Sequence, residues 1–298
     1  MTSPTRWTLS LDGVTVGGMH CGDRQGYPVM AFHGSPGCHV EAVAFAHVPA
    51  AEAGLHFIAV DRPGMGMSGM AEQRQVVDWA ATAAAVADHL GLEEFAVLGA
   101  SGGGPYAMAC AHQLPERVSK CVLVSSLAPF TDVAPEPGEK RQAGGLLMLR
   151  RSPFLARPAV WRLKQVVAKP KGLAAVIKQM SATDQARIAG DDQLLADLGE
   201  NIRTSMAAGT RGTAADMVRL FARDWGFDPA DIRVPTAVWH GDDDMNVPTG
   251  DGRRLAATIP GAELHIVEGA GHLLFVDHAA AVLESVWAHR SESSPREA

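Results

Sequence analysis

The chain has 298 residues, enough to bury a sizeable core as one large α/β domain or two ordinary ones. Hydrophobic residues make up 47% and charged residues 20%, a globular balance, and a net charge of -7 from 26 basic and 33 acidic side chains argues against a nucleic-acid partner. No apolar run reaches the roughly 18 residues of a membrane span, and MTSPTRW at the start has neither the basic nor the apolar region of a signal peptide, so a cytoplasmic location is expected by default.

In chain order, WTLSLDG and VTVGG predict an antiparallel hairpin joined at Asp12-Gly13, placed at a sheet edge. Six apolar runs then predict fully buried strands: PVMAFHG (28–34), LHFIAVD (55–61), FAVLGA (95–100), KCVLVSS (120–126), TAVWHG (236–241) and AELHIVEG (262–269). Segments of helical period lie between them, as at Val76 to Leu90 and around Leu255. That alternation predicts an α/β fold with a mainly parallel sheet covered by helices on both faces. The four cysteines, Cys21, Cys38, Cys110 and Cys121, show no C-x-x-C spacing and are assigned neither metal nor disulfide.

The rhythm breaks between Pro129 and about Ile232, where no strand is predicted and helical patterns fall at Gly145 to Met148, Ala159 to Val167, Leu173 to Met180 and Ala214 to Trp225. Its many apolar residues predict a helical lid over 129–232, inserted into a core of 6–128 and 233–290, with a polar tail at 291–298. From Glu136 to Lys178 ten basic residues stand against two acidic ones. Two accounts fit: the solvated face of lid helices, or a docking site for an anionic acyl carrier such as an acyl-phosphopantetheine thioester.

Chemistry concentrates at LGASGGGPYAMA, directly after the third predicted core strand. Gly99-Ala100-Ser101-Gly102-Gly103 fits G-x-S-x-G, a sharp strand-to-helix turn that holds a serine in a strained backbone and lets the helix pack against the strand. A serine needs a base and oxyanion donors to act as a nucleophile, and the Gly102 N–H at the positive helix end is free to donate. Gly102-x-Gly104-x-x-Ala107 also satisfies the dinucleotide fingerprint, but that motif belongs to a first βα turn and expects an acidic residue about 20 positions on. A glycine turn with no chemistry is the third reading. Partners for the serine follow downstream: Asp242-Asp243-Asp244 at the end of a strand, one of which should orient a base, and His272 on the glycine loop Gly269-Ala270-Gly271. The order Ser, Asp, His is that of α/β-hydrolases.

With these residues in view the chain resembles the lid-bearing α/β-hydrolases of the esterase, lactonase and haloperoxidase-like group, over about Arg6 to Arg290. His33-Gly34-Ser35-Pro36-Gly37 is similar to the family's HGxPG turn, Asp61 to Ser68 to its DxxGxGxS loop, and Asp244 to Pro248 reads D-x-x-V-P. The resemblance implies Ser101 as nucleophile, His272 as base and Asp244 as acid, with Asp242 or Asp243 as the alternatives. It also implies an oxyanion hole from the backbone N–H groups of Ser35 and Gly102, and no cofactor or metal. The other usual place for the acid, after the preceding strand, holds Ser125-Ser126. His33 and His240 are expected to anchor loops, and the Asp61 to Ser68 segment to border the site.

The implied reaction is hydrolysis of a carboxylic ester or lactone of a small to medium apolar compound through an acyl-enzyme. Thioester hydrolysis, carbon-carbon bond hydrolysis and cofactor-free perhydrolysis use the same triad and stay open, as does a ligand-binding protein without turnover. Epoxide hydrolases and dehalogenases resemble this chain with aspartate where Ser101 stands, and the lid tyrosines of the former are missing, since the two tyrosines are Tyr27 and Tyr106.

Overall fold

A computed structural model of the chain describes residues 3–129 and 149–287. The pattern predicted at 145–148, the polar tail, and the basic residues 140 and 141 lie outside the described residues. Among those described, β1 (Thr5–Leu11), β2 (Val14–Gly22), β3 (Tyr27–Phe32), β4 (Leu55–Val60), β5 (Phe95–Ala100), β6 (Val118–Val124), β7 (Thr236–Gly241) and β8 (Glu263–Val267) form one sheet. Its order is β1-β2-β4-β3-β5-β6-β7-β8. The pairs β1/β2 and β2/β4 are antiparallel and the rest parallel. The hairpin is at the edge as expected, and its turn places Asp12 and Gly13 at φ 48 and 79, the mirror-image turn that matches strand twist.

Helices α1 (Val40–Phe45), α2 (His47–Glu52), α3 (Trp79–Leu90) and α4 (Gly104–Gln113) precede the break in rhythm. Within it lie α5 (Ala156–Val167), α6 (Pro170–Ile177), α7 (Ala182–Ala189), α8 (Asp192–Ser205) and α9 (Arg211–Phe221), and after it α10 (Thr249–Thr258) and α11 (Leu274–Trp287). The central strands alternate strictly between two cores. Met30, Phe32, Ile58, Val60, Val97 and Leu123 meet Trp79 and Tyr106 of α3 and α4 on one face. Val29, Ala31, Phe57, Leu98 and Val122 meet Ala50 of α2 and Val282 of α11 on the other. With both faces covered, a period of two yields no polar side, which is why these strands read as continuous apolar runs.

The expectation of full burial fails at β8, which has no buried residue and leaves Leu264 37% exposed. As an edge strand it has a neighbour on one side only. The inserted segment also holds two helices, α7 and α8, that the sequence reading did not separate. Their start signals were present: Ser181 Oγ accepts from Asp184 N at 3.1 Å and the Asp191 carboxylate from Leu194 N at 2.9 Å.

Two features of this frame fix the site. The strand order reverses around β3, whose neighbours are β4 and β5, so the crevice of an open α/β sheet lies beyond the carboxyl ends of β3 and β5. The turn after β5 also has no room for side chains: a Cβ on Gly103 would sit 1.9 Å from the Phe32 carbonyl oxygen. Gly103→Ala should therefore cost at least about 3 kcal/mol of stability or prevent folding, since neither backbone can move aside. Gly13→Ala has open space and only an unfavourable φ to bear, and should cost about 1–2 kcal/mol. Urea unfolding of the two variants measures the contrast.

Candidate active site

Ser101 stands where β5 gives way to a single 3₁₀ turn (Ser101–Gly103) and then α4. Its φ of 51 is a conformation that non-glycine residues avoid, so the strained turn expected from G-x-S-x-G is present. Pro105 lies in the first turn of α4, where no intrahelical bond needs its missing N–H.

Of the three consecutive carboxylates after β7, one is buried. Asp242 is exposed and accepts from Gly269 N at 2.7 Å, and exposed Asp243 accepts from the Thr183 hydroxyl at 2.9 Å. Asp244 turns inward, where its Oδ1 accepts from Asn246 N and Val247 N, both at 2.9 Å, and its Oδ2 lies 2.8 Å from His272 Nδ1. That contact places the proton on Nδ1 and leaves Nε2 as the free base. Burial would lower the His272 pKa, but the charge and hydrogen bond of Asp244, with the charges of Asp184 and Glu41, outweigh it and the net shift is upward from 6.5. Burial likewise opposes ionisation of Asp244, yet the charge of His272 and its hydrogen bond hold the acid below its ordinary value. His240, expected as an anchor, is one: its Nε2 is 2.9 Å from the Val247 carbonyl, and burial holds the ring neutral.

A residue that the sequence reading missed positions His272. Asp184, 2% exposed on α7, accepts from His272 N at 2.9 Å through Oδ2 and from Leu273 N at 3.0 Å through Oδ1. The Ser181 hydroxyl donates to the same carboxylate at 3.0 Å. The His272 and Leu273 amides are 88 and 89 positions away, so the local Ser181–Asp184 cap marks a helix start and not this role.

The loop after β3 is held from several sides. His33 Nδ1–H bonds the Gly34 carbonyl at 2.8 Å while Nε2 accepts from Arg62 N at 3.2 Å, and burial with the Arg62 charge pushes its pKa down to about 3. The guanidinium of Arg62, with no exposure, donates to the carbonyls of His33 and Gly34 and to both oxygens of Asp216 on α9. Asp216 also accepts from the Ser35 hydroxyl at 2.7 Å and from Tyr106 at 2.5 Å. Burial resists its charge, but Arg62 and Arg219 bring its pKa down to about 2. Opposite this loop, a Cβ on Gly102 would lie 2.8 Å from Ser35 Cβ and 3.2 Å from Ser35 N, so the two predicted oxyanion residues face each other.

Ser101, His272, Ser35 and Gly102 line one cavity of about 410 Å³. Helices α6, α8 and α9 supply part of its wall through Leu173, Ile202 and Met217. No hydrogen bond joins Ser101 to His272 among the described residues. Cys38, His39 and Asp61 bring three potential metal-ligand atoms within 4.8 Å of one another. Each is already engaged: Asp61 accepts from His39 N at 2.6 Å, from His39 Nδ1 at 2.7 Å and from Met67 N at 2.8 Å, while the Cys38 thiol, raised by burial, donates to Asn201. The Asp61 to Ser68 segment is thus structural, with Ser68 Oγ donating to the Asp61 carbonyl at 2.6 Å, and contrary to expectation none of its residues lines the cavity. The basic residues described between 149 and 178 are exposed apart from half-buried Lys164, which donates to the Met206 carbonyl at 2.6 Å.

The alpha/beta hydrolase fold family matches residues 27–279 of this chain. A 2-hydroxy-6-oxononadienedioate/2-hydroxy-6-oxononatrienedioate hydrolase of Cupriavidus pinatubonensis is 32% identical over 287 residues, covering 93% of this chain and 92% of the relative. A poly(3-hydroxyalkanoate) depolymerase of Ectopseudomonas oleovorans is 28% identical over 256 residues, 86% of this chain and 81% of the relative. Among solved structures, a bromoperoxidase from Bacillus anthracis superposes with a TM-score of 0.74 at 19% identity, over 96% of this chain and 100% of that one.

Two outcomes are expected of this geometry. By NMR the His272 imidazole should titrate above 6.5, and Asp244→Asn should move it down strongly because burial is then unopposed by the nearest charge; Asp184→Asn should move it down less. Asp216→Ala leaves Arg62 buried without its carboxylate and should lower stability by about 3–5 kcal/mol in urea unfolding. The pair Arg62→Met with Asp216→Leu removes both members of that ion pair and should recover only part of the loss, because Arg219, Ser35 and Tyr106 still lack their acceptor.

Proposed function

The chain belongs to the alpha/beta hydrolase fold family, and from that premise we propose a serine hydrolase in which Ser101 is the nucleophile, His272 the base and Asp244 the acid. The observation that carries the reading is the 2.8 Å contact of His272 Nδ1 with buried Asp244 at the wall of the cavity that Ser101 also lines. Substrate binding draws the Ser101 hydroxyl and Nε2 together, as hydrogen bonds of this kind commonly tighten only in the loaded site. Ser101 Oγ attacks the acyl carbonyl and Nε2 takes its proton. Asp244 keeps the imidazole in the right tautomer and stabilises its positive charge, and the proton then goes to the leaving group. Water, deprotonated by His272, resolves the acyl-enzyme.

The Ser35 and Gly102 N–H groups are the proposed oxyanion donors, each contributing about 2.7–4 kcal/mol to the transition state. Arg62 and Asp216 are positioning residues for that hole, because they hold the carbonyls of His33 and Gly34 and the hydroxyl of Ser35 without reaching the reacting atoms. We propose residues 129–232 as a lid domain on the core of 6–128 and 233–290, supported by the contribution of α6, α8 and α9 to the cavity wall.

Hydrolysis of a carboxylic ester or lactone is the first reading of the substrate. It is supported by the largely apolar lining, which contains no lysine or arginine among the described residues, and by the relative named for depolymerising a polyester. The relative named for a 2-hydroxy-6-oxo dienedioate favours a second reading on the same triad, cleavage of a carbon-carbon bond, since the named substrate carries no ester.

Fluorophosphonate should label Ser101, and Ser101→Ala should abolish labelling and lower kcat on p-nitrophenyl butyrate on the order of 10⁴-fold or more. Unchanged hydrolysis by that variant ends the proposal, and an unlabelled serine in an inactive wild type points to a binding protein. A kcat/KM for a 2-hydroxy-6-oxo dienoate above that for the ester would put the second reading first.

A further inference from the structure

One carboxyl group faces the cavity without a part in the triad. Glu41, on α1, is the one acidic side chain among the described residues that line the cavity. Its oxygens accept from Gly34 N at 3.0 and 3.2 Å and from Asn201 Nδ2 at 3.4 Å. Both of its donors, Gly34 N and Asn201 Nδ2, favour the ionised form of the carboxyl. Burial is the largest influence and leaves its pKa above the ordinary carboxylate value, although the Gly34 N–H and the charge of Arg62 act the other way.

The position matters more than the titration. A Cβ on Gly34 would lie 3.3 Å from Glu41 Oε2 and 3.6 Å from Ser101 Cβ, so the carboxyl and the serine border the same glycine. Arg62, the cation behind this loop, is paired with Asp216, which it shares with Arg219, and directs its hydrogen bonds to Asp216 and two carbonyls rather than into the cavity. The cavity therefore presents a negative group beside the serine, in mostly apolar surroundings where charge is weakly screened.

We infer that Glu41 sets the charge preference of the cavity, admitting neutral and cationic acyl compounds and turning away those that carry a carboxylate near the acyl group. The inference rests on the serine-hydrolase reading and names its substrate class. It also separates this chain from the relative named for a dienedioate, a compound with two carboxylates.

A generic apolar cavity disfavours either sign of charge, whereas Glu41 acts on the two signs in opposite directions. Three esters of matched length make the test at pH 8: p-nitrophenyl hexanoate, mono-p-nitrophenyl adipate and p-nitrophenyl 5-(trimethylammonio)pentanoate, each corrected for spontaneous hydrolysis. The wild type should favour the ammonium ester over the adipate by at least about tenfold in kcat/KM, a modest share of the attraction and repulsion expected at this range. Glu41→Gln, which retains a carbonyl for the Gly34 N–H, should bring that ratio within about threefold of unity.

A wild type that hydrolyses the adipate as well as the ammonium ester overturns the inference, and so does a folded Glu41→Gln variant that keeps the full ratio. Should the variant not fold, the order of the three esters on the wild type decides alone. Activity on all three with no charge order sinks the inference and leaves the serine hydrolase standing; no activity on any, with Ser101 unlabelled by fluorophosphonate, sinks the reading beneath it.

Discussion

A carboxylate withdrawn from water must be surrounded by donors, and Asp216 finds four: Nε and Nη2 of Arg62, the hydroxyl of Ser35 and that of Tyr106. None of these bonds is local in sequence; the separations run from 110 to 181 positions. A charge pair buried this deeply contributes little net stability, because desolvation offsets most of the attraction, but once either partner is present the other is obligatory. The consequence is geometric. With Asp216 in place, Arg62 can lie only where its remaining N–H groups reach the carbonyls of His33 and Gly34, and the loop carrying Ser35 is fixed with it.

The same device recurs along the inserted helices. Asp216 of α9 fixes the loop after β3, Asn201 of α8 accepts from Cys38 N at 2.9 Å and donates to Glu41, and Asp184 of α7 accepts from His272 N and Leu273 N. The loop after β3, the start of α1 and the His272 loop thus each have a polar tie to the inserted helices. Apolar contact tolerates sliding, whereas a hydrogen bond to a buried charge does not, so these ties give the segment a register on the core that hydrophobic packing would leave loose.

How much of this the sequence carried follows from the range of each interaction. The strained turn at Ser101 and the loop position of His272 were legible because turn chemistry confines them to glycine-rich strings of a few residues. The choice among Asp242, Asp243 and Asp244 was legible in the D-x-x-V-P string, and its physical basis is now visible: Asp244 Oδ1 bonds the N–H groups two and three residues ahead, so its own loop folds around it. Asp184, Asp216 and Glu41 were not legible. Each is an ordinary acid on a helix, and only the packing of that helix distinguishes it from a solvated one. The helices α7 and α8 were a different kind of omission, since the caps Ser181 and Asp191 stood in plain sight ahead of amphipathic segments.

Three carboxyl groups act on His272, the proposed base. Asp244 touches His272 Nδ1, Asp184 holds its backbone, and Glu41 lines the same cavity; all three act to raise the pKa of an imidazole that burial alone would depress. A stronger base takes a serine proton more readily, and the same negative surroundings stabilise the imidazolium that results. The potential that favours a cation at Nε2 is felt by everything else in the cavity. A substrate with its own carboxylate must enter against it, while a neutral acyl compound acquires negative charge only at the carbonyl oxygen, where the N–H groups of Ser35 and Gly102 are proposed to meet it. In this reading the electrostatics that strengthen the base and those that choose the substrate are one arrangement, so a change that eased the entry of anionic compounds by removing a carboxylate would weaken the base as well.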